Sequence, residues 1–299
     1  MTWLSAFSIG GLERFAMRSL FAWVVGQHFP SALGFKGFPA PNGLARVLDL
    51  SLLLDPALLT RCRYLLYFAL VLYVLRIGWS FVLPYMTLIS VSAGSVINSQ
   101  GAISHHLQII SLVLLAQTGA HFYGVFRART GAARENTDGR EGRLINWSQQ
   151  AIAAAYLVSA LTKLIHTKGA WFLQSPMMAV QIVKTTEQDY YDRLDPTALA
   201  SGAAIAGWMA HHPLLVAVVM SSGLILELSA PVLLLGRGYA ALYGLALILF
   251  HETVGRVMQL HFNYNEYLIW IFLVNVPFWI LLALRIFQAR FPRPGSARL

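Results

Sequence analysis

The sequence predicts an all-α polytopic membrane protein: a bundle of about six transmembrane helices, preceded by N-terminal interfacial or additional membrane helices. Three observations carry this. Of the 299 residues, 57% are hydrophobic and only 12% are charged, whereas a soluble domain carries roughly 25% charged residues. The mean hydropathy is +0.59, and apolar runs near the ~20-residue length of a membrane helix recur. Those runs lack the alternation of ~10-residue barrel strands, so helices must satisfy the backbone in lipid.

Residues 1–60 form an N-terminal region. GLERFAMRSLFAWVVGQHF has apolar residues at helical spacing, interrupted by Glu13, Arg14 and Arg18. Its apolar core, Leu20–Gly26, is short for a span, so an interfacial amphipathic helix is expected. A signal peptide is disfavoured, because no clean cleavage site follows. Pro30, Pro39, Pro41 and Gly43 mark a loop. LARVLDLSLLLD then reads as a short surface helix ending near Asp55-Pro56.

The core, 61–286, carries spans at 64–83, 105–126, 147–165, 213–235, 239–260 and 267–286, with Pro84 ending the first. Residues 166–211 are the longest connection. KTTEQDYYDRLDP is polar and faces water; ALASGAAIAGWMA is weakly helical and packs on the bundle. Residues 287–299 are a basic tail, and the whole chain is expected to be one membrane domain without a luminal or soluble domain. No internal repeat is visible, which argues against a transporter of duplicated halves.

Charge sets the expected topology. Arg61 and Arg63, Arg127–Arg143, Arg237 and Arg285–Arg298 alternate with poorly basic loops at 84–104, 166–211 and 261–266. Lys and Arg favour the cytoplasmic side, so both termini are expected there, in a bacterial inner membrane. The net charge of +9 then reflects topology rather than nucleic-acid binding, for which no motif is present. The single cysteine, Cys62, excludes an intramolecular disulfide and a cysteine metal site.

Four groups of polar residues stand out. Lys163, His166, Lys168 and Trp171 end the third span at its outer side. They read either as snorkelling anchors in an aromatic belt or as a partly desolvated amine able to act as a general base. His105, His106 and His121 share one span, and His105 and His121 cap its opposite ends, so they are not a metal pair. Arg76 and Glu227 lie inside spans and need a partner or a cavity; Ser221, Ser222 and Ser229 are the simplest partners for Glu227. In HETVGRVMQLH, Glu252 and Arg256 form a natural i,i+4 pair. A zinc motif beginning at His251 fails, because position 255 is Gly255 and the next histidine is His261. The sequon Asn146-Trp147-Ser148 lies on the expected inner side and is taken as chance.

The ordered motifs resemble a known family. AAYLVSALTKLIHTKGAWF is similar to a span of form Tyr-Phe-x-Ala-Gly-x-x-Lys-Leu followed by Trp, with Ala160 where the family has glycine. GLILELSAPVLLL is similar to a Gly-Leu-x-x-Asp/Glu-Leu-Ser-Ala segment. LFHETVGRVMQLHFNYNEYLIW is similar to a Phe-His span, and SHHLQIISLVLL before AHFYGV is similar to an Asn-His segment and a later His-Tyr pair. Over about 60–285 the chain resembles the membrane domain of the vitamin K-dependent gamma-carboxylase group, also called the horizontally transferred transmembrane (HTTM) family.

That resemblance implies a membrane enzyme that oxidises or epoxidises a quinol with oxygen while modifying a small or peptide substrate. Lys163 takes the place of the family's catalytic base, with Glu227, His251 and either His105 or His106 beside it. Tyr156, Trp171, His121 and Arg76 are the expected contacts of the cofactor, reduced vitamin K or menaquinol, and no metal is expected. Membrane lipid, quinone and possible small secreted peptides are the expected partners. The alternatives are an accessory membrane protein for maturation or export of such a peptide, and a lipid-binding or transport bundle. A shared site predicts that Lys163, one of His105 and His106, Glu227 and His251 border one cavity near the outer leaflet.

Overall fold

The computed structural model describes residues 10–34, 40–101, 105–131, 136–194, 196–258, 260 and 262–290, and its regular elements are helical. Arg134, His261 and the tail beyond 290 lie outside the described residues, as do the side chains of His105 and His106. The principal helices are α1 (Gly11–His28), α2 (Pro56–Val74), α3 (Trp79–Asn98), α4 (His105–Arg129), α5 (Thr137–His166), α6 (Met178–Arg193), α7 (Pro196–His211), α8 (Pro213–Leu228), α9 (Arg237–Met258), α10 (Asn263–Ile269) and α11 (Val276–Arg290). They fall into two compact units, one of residues 1–151 and 267–299, the other of 152–266.

Among the described residues, four helices are long and apolar enough to cross a membrane: α2, α3, the 107–129 part of α4, and α9. Two bent pairs could each add one crossing: 199–211 with 213–228, at 103°, and 263–274 with 276–287, at 42°. The expected spans at 105–126 and 239–260 match α4 and α9. The expected span at 64–83 does not exist as one helix. The chain breaks at 75–78, where Arg76 (φ 63°) and Gly78 (φ 62°) are both left-handed, and Pro84 sits inside α3 rather than ending a helix. The 147–165 stretch is helical within α5 but is not among the apolar helices; Gln149, Gln150 and Lys163 dilute it. The 213–235 stretch is α8 for 16 residues and then a 3-10 segment from Ala230 to Leu235. The 267–286 stretch is interrupted at Asn275 (φ 56°) after a π-helical turn.

In the first unit, Asp55 starts α2. Its carboxylate accepts from the Ala57 and Leu58 amides at 3.2 Å, with Pro56 at the first helical position. The segment before it is two 3-10 turns, 43–46 and 51–54, not the single surface helix expected. Helices α3 and α4 run antiparallel, joined by polar rungs: Ser80 to His121 at 2.9 Å, Thr87 to Thr118 at 2.8 Å and Ser90 to Ser111 at 2.8 Å. Small hydroxyl side chains let two helix backbones approach closely where water is absent. The Tyr73 hydroxyl donates to Gln117, which donates to Ser148 at 3.1 Å. Ser148 in turn donates to the Leu144 carbonyl, so the sequon serine is a buried structural group.

Helix α1 buries charged residues together with Met17, Phe21, Val24 and Val25, which an interfacial helix with its charges in water would not do. Glu13, Arg14 and Arg18 are buried, while Leu12, Phe15, Leu20 and Trp23 are exposed. The cause is Glu141, only 3% exposed at the start of α5. Its carboxylate meets Arg14 at 2.7 Å, Arg18 at 2.5 Å and Arg76 at 3.2 Å, and Arg14 also pairs with Asp138. Arg76 is therefore in a turn, held by Glu141, rather than inside a span. Glu13 accepts from Asn275 at 2.6 Å.

In the second unit, Ile182 of α6, Met209 of α7, Val216 of α8 and Met258 of α9 form a buried core. The Thr185 hydroxyl ties α6 to α9 through the Met258 carbonyl at 2.9 Å.

Replacing Glu141 with Gln removes the shared counter-charge of two buried arginines. The expected loss of stability is about 3–5 kcal/mol, read by denaturant unfolding of the purified protein in micelles. A loss below ~1 kcal/mol, the range of exposed pairs, would mean that the cluster is solvated.

Candidate functional site

The end of α5 explains how Lys163 is presented. The helix closes with Lys168 (φ 50°) and Gly169 (φ 81°), both left-handed. The Gly169 amide donates to the Leu164 carbonyl at 2.8 Å and the Lys168 amide to Ile165 at 3.1 Å, the paired hydrogen bonds that stop a helix and reverse the chain. The reversal sends Trp171 back over the last turn, where its ring lies 5.7 Å from Lys163 Nζ. His166 and Lys168 are left exposed. Of the group expected there, Lys163 and Trp171 come together and the other two do not join them.

Lys163 Nζ donates to both carboxylate oxygens of Glu227, at 2.7 and 2.5 Å. The Glu227 side chain is 7% exposed and that of Lys163 31%. Glu227 occupies the last turn of α8, just before the helix gives way to the 3-10 segment. That break frees carbonyls, and the Tyr243 hydroxyl of α9 takes the one of Leu226 at 2.5 Å. Gly223, one turn earlier, faces the Phe250 ring of α9 with no room for a Cβ, so its lack of a side chain permits the close approach of α8 and α9. The serines do not serve Glu227: Ser222 and Ser229 bond to the Val219 and Leu226 carbonyls of their own helix.

His251 is 3% exposed. Its Nε2 lies 3.2 Å from the Tyr156 hydroxyl, and its ring stacks on Phe262 at 4.8 Å between centroids. Lys163 is close enough to His251, and Glu227 to Tyr156, for each to act on the other electrostatically. Lys163, Glu227, Tyr156, Trp171 and His251 thus share the second unit. Glu252 and Arg256 form the expected i,i+4 pair, at 3.4 Å on an exposed face.

The remaining expected residues belong to the first unit. His121 is buried there, between Ser80 and the Trp79 ring edge. Arg76 pairs with Glu141, and His105 and His106 begin α4. Among the described residues, no group of three potential metal ligands occurs.

Sequence reasoning missed Tyr243 and Phe262. Tyr243 carries no motif, and Phe262 lies beyond the end of α9, where helical periodicity gives no placement. Comparison with family models, curated proteins and solved structures finds no match to this chain.

The ion pair generates a prediction. Lys163→Met alone leaves a buried, uncompensated carboxylate and is expected to destabilise by about 3 kcal/mol or more. Adding Glu227→Gln is expected to recover most of that loss. Unfolding of the two single variants and the double variant in micelles gives the coupling; additive losses would mean that the two side chains are not paired.

Proposed function

We propose that the chain is a multi-pass membrane enzyme whose second unit holds a proton-transfer site, with Lys163 as base toward a lipid-soluble quinol. The observation that carries this is the Lys163–Glu227 pair: a carboxylate almost removed from solvent, a partly accessible amine, and the Trp171 ring beside that amine. The resemblance of these residues to the HTTM and vitamin K-dependent carboxylase group supports the same reading.

Several features favour the membrane setting. Among the described residues, four helices are of crossing length, or six crossings if each bent pair is one span. Helix α1 buries its charges Glu13, Arg14 and Arg18 while leaving Leu12, Phe15, Leu20 and Trp23 exposed, as charged groups are placed in lipid. If α2, α3 and α4 each cross, three crossings rather than two separate Arg61 and Arg63 from Arg127 and Arg129. The two basic clusters then lie on opposite sides, and alternating loop charge alone does not orient the chain. Thiol labelling of single cysteines at positions 63 and 129, in a Cys62→Ser background, is expected from opposite faces of sealed vesicles; labelling from one face would mean an even number of crossings.

The site residues fit a planar apolar ring approaching from the lipid side. Ile165, Phe172 and Leu173 around the end of α5 are exposed, and the Trp171 indole offers a stacking face next to the amine. A quinol bound there supplies an acidic hydroxyl and reducing equivalents. Lys163 accepts one proton at Nζ, and Glu227 stabilises the ammonium so formed through two charge-assisted hydrogen bonds. Interactions that strengthen as charge develops are those that lower the barrier. The same closeness favours a second reading, an accessory membrane protein in which the pair only latches α5 to α8.

Reconstitution in lipid nanodiscs with reduced menaquinone or vitamin K hydroquinone, under oxygen, separates the two. Quinol oxidation or epoxide formation is expected, with Lys163→Ala lowering it by about 10²–10⁴-fold, the usual contribution of a general base. Protein that neither binds nor oxidises quinols, with Lys163→Ala affecting only stability, leaves the latch.

A further inference from the structure

Three polar rungs join α3 to α4, and one differs in kind. The Thr87–Thr118 and Ser90–Ser111 rungs pair hydroxyl with hydroxyl, and Thr87, Ser90 and Ser111 are buried. The third sets the Ser80 hydroxyl 2.9 Å from His121 Nε2, and Ser80 is exposed. A hydroxyl and an imidazole at that separation meet the geometric condition for a nucleophile and its base. The imidazole is held in place by two rings, in T-shaped contact with Trp79 at 6.1 Å and with Phe122 at 5.5 Å between centroids.

The surroundings select a substrate. Ile77, Phe81 and Phe122 expose apolar surface around the pair, on which an acyl chain can lie. Arg140 and Arg143 of α5 are close enough to act electrostatically on His121, and Arg76, in the turn before α3, is 46% exposed. The carboxylates of Asp138 and Glu141 are held by Arg14, Arg18 and Arg76. A cation formed on His121 beside two guanidinium groups is therefore helped by an anion that the substrate brings, and a phosphate is such an anion. Trp79 and Ser80 open α3, so their amides have no acceptor within the helix, whereas those of Phe81 and Val82 donate to the Gly78 carbonyl. The first two amides are donors for an oxygen on which negative charge develops.

We propose that Ser80 and His121 are the nucleophile and base of a second site, which hydrolyses the acyl ester of an anionic phospholipid. The Ser80 oxygen bonds to the ester carbonyl carbon as its proton passes to His121 Nε2. The bond from that carbon to the glycerol oxygen then breaks, and the glycerol oxygen takes the proton from Nε2, leaving as a lysophospholipid. Water attacks the acyl-serine by the same route, releasing a fatty acid and restoring the serine. One ester and one water are consumed, and no electrons move. The pair lies in the first unit and the Lys163–Glu227 pair in the second, so this inference needs the membrane setting but not the quinol reading.

A fluorophosphonate probe, which reacts with activated serines, tests the pair in the full-length protein in nanodiscs. Peptide mapping is expected to find the adduct on Ser80, and Ser80→Ala to lose it. His121→Gln keeps a hydrogen-bonding side chain but no base. It is expected to slow labelling and fatty-acid release by about 10²–10⁴-fold at unchanged melting temperature. Release from phosphatidylglycerol is expected to be at least about tenfold faster than from phosphatidylcholine or diacylglycerol. Folded wild-type protein with no adduct on Ser80, or labelling of His121→Gln at the wild-type rate, overturns the nucleophile–base pair. Equal release from the three lipids, or none from any, overturns the assignment of the substrate. Loss of quinol oxidation with Ser80 labelling intact counts against the quinol reading alone.

Discussion

Taking a charge out of water costs several kcal/mol even after the protein relaxes, and a chain this apolar has little surface water to offer in return. Its buried charges are therefore settled by pairing, and two carboxylates do most of that work. Glu141 collects Arg14, Arg18 and Arg76 from two distant stretches of sequence. Glu227 holds Lys163. The first arrangement has more positive than negative charge around one buried oxygen pair and fixes α1, the α2–α3 turn and the start of α5. The second is a single pair with one partly accessible member. The same physics acts in both: a buried carboxylate holds its cations, and in each group one of them stays partly exposed, Arg76 at 46% and Lys163 at 31%.

Helices α4 and α9 were readable because their apolar runs are long and bounded by polar residues. The break at 75–78 was not readable, because hydropathy runs through it nearly unchanged. It depends on Arg76 and Gly78 both taking left-handed backbone, and only the glycine is an ordinary signal for that. Pro84 then misled: a proline looks like a terminator, but lipid-embedded helices accept one where neighbouring groups satisfy the freed carbonyl. Helix α1 was read from its periodicity, correctly as a helix, but the burial of Glu13, Arg14 and Arg18 was not foreseen. The burial of Arg14 and Arg18 depends on Glu141, and nothing local to α1 announces a partner more than a hundred residues away.

The site shows the same limit. That Glu227 needed a partner followed from its position in an apolar run. That the partner is Lys163 rather than a nearby serine did not, because the contact spans 64 residues and depends on α5 and α8 meeting. Lys163 and Lys168 differ little in composition and spacing. The reversal at Lys168-Gly169 separates them, turning one lysine inward beside Trp171 and leaving the other in the open.

A lysine held by two carboxylate contacts has both a reason to exist and an obstacle to work. As an ammonium it is well satisfied and has no capacity to accept a proton. As a neutral amine it leaves Glu227 as the only formal charge of the pair, in surroundings that disfavour an isolated charge. In the proposed function, accepting the quinol's proton at Lys163 restores the ion pair with Glu227, and the base has to leave that pair again before the next turnover.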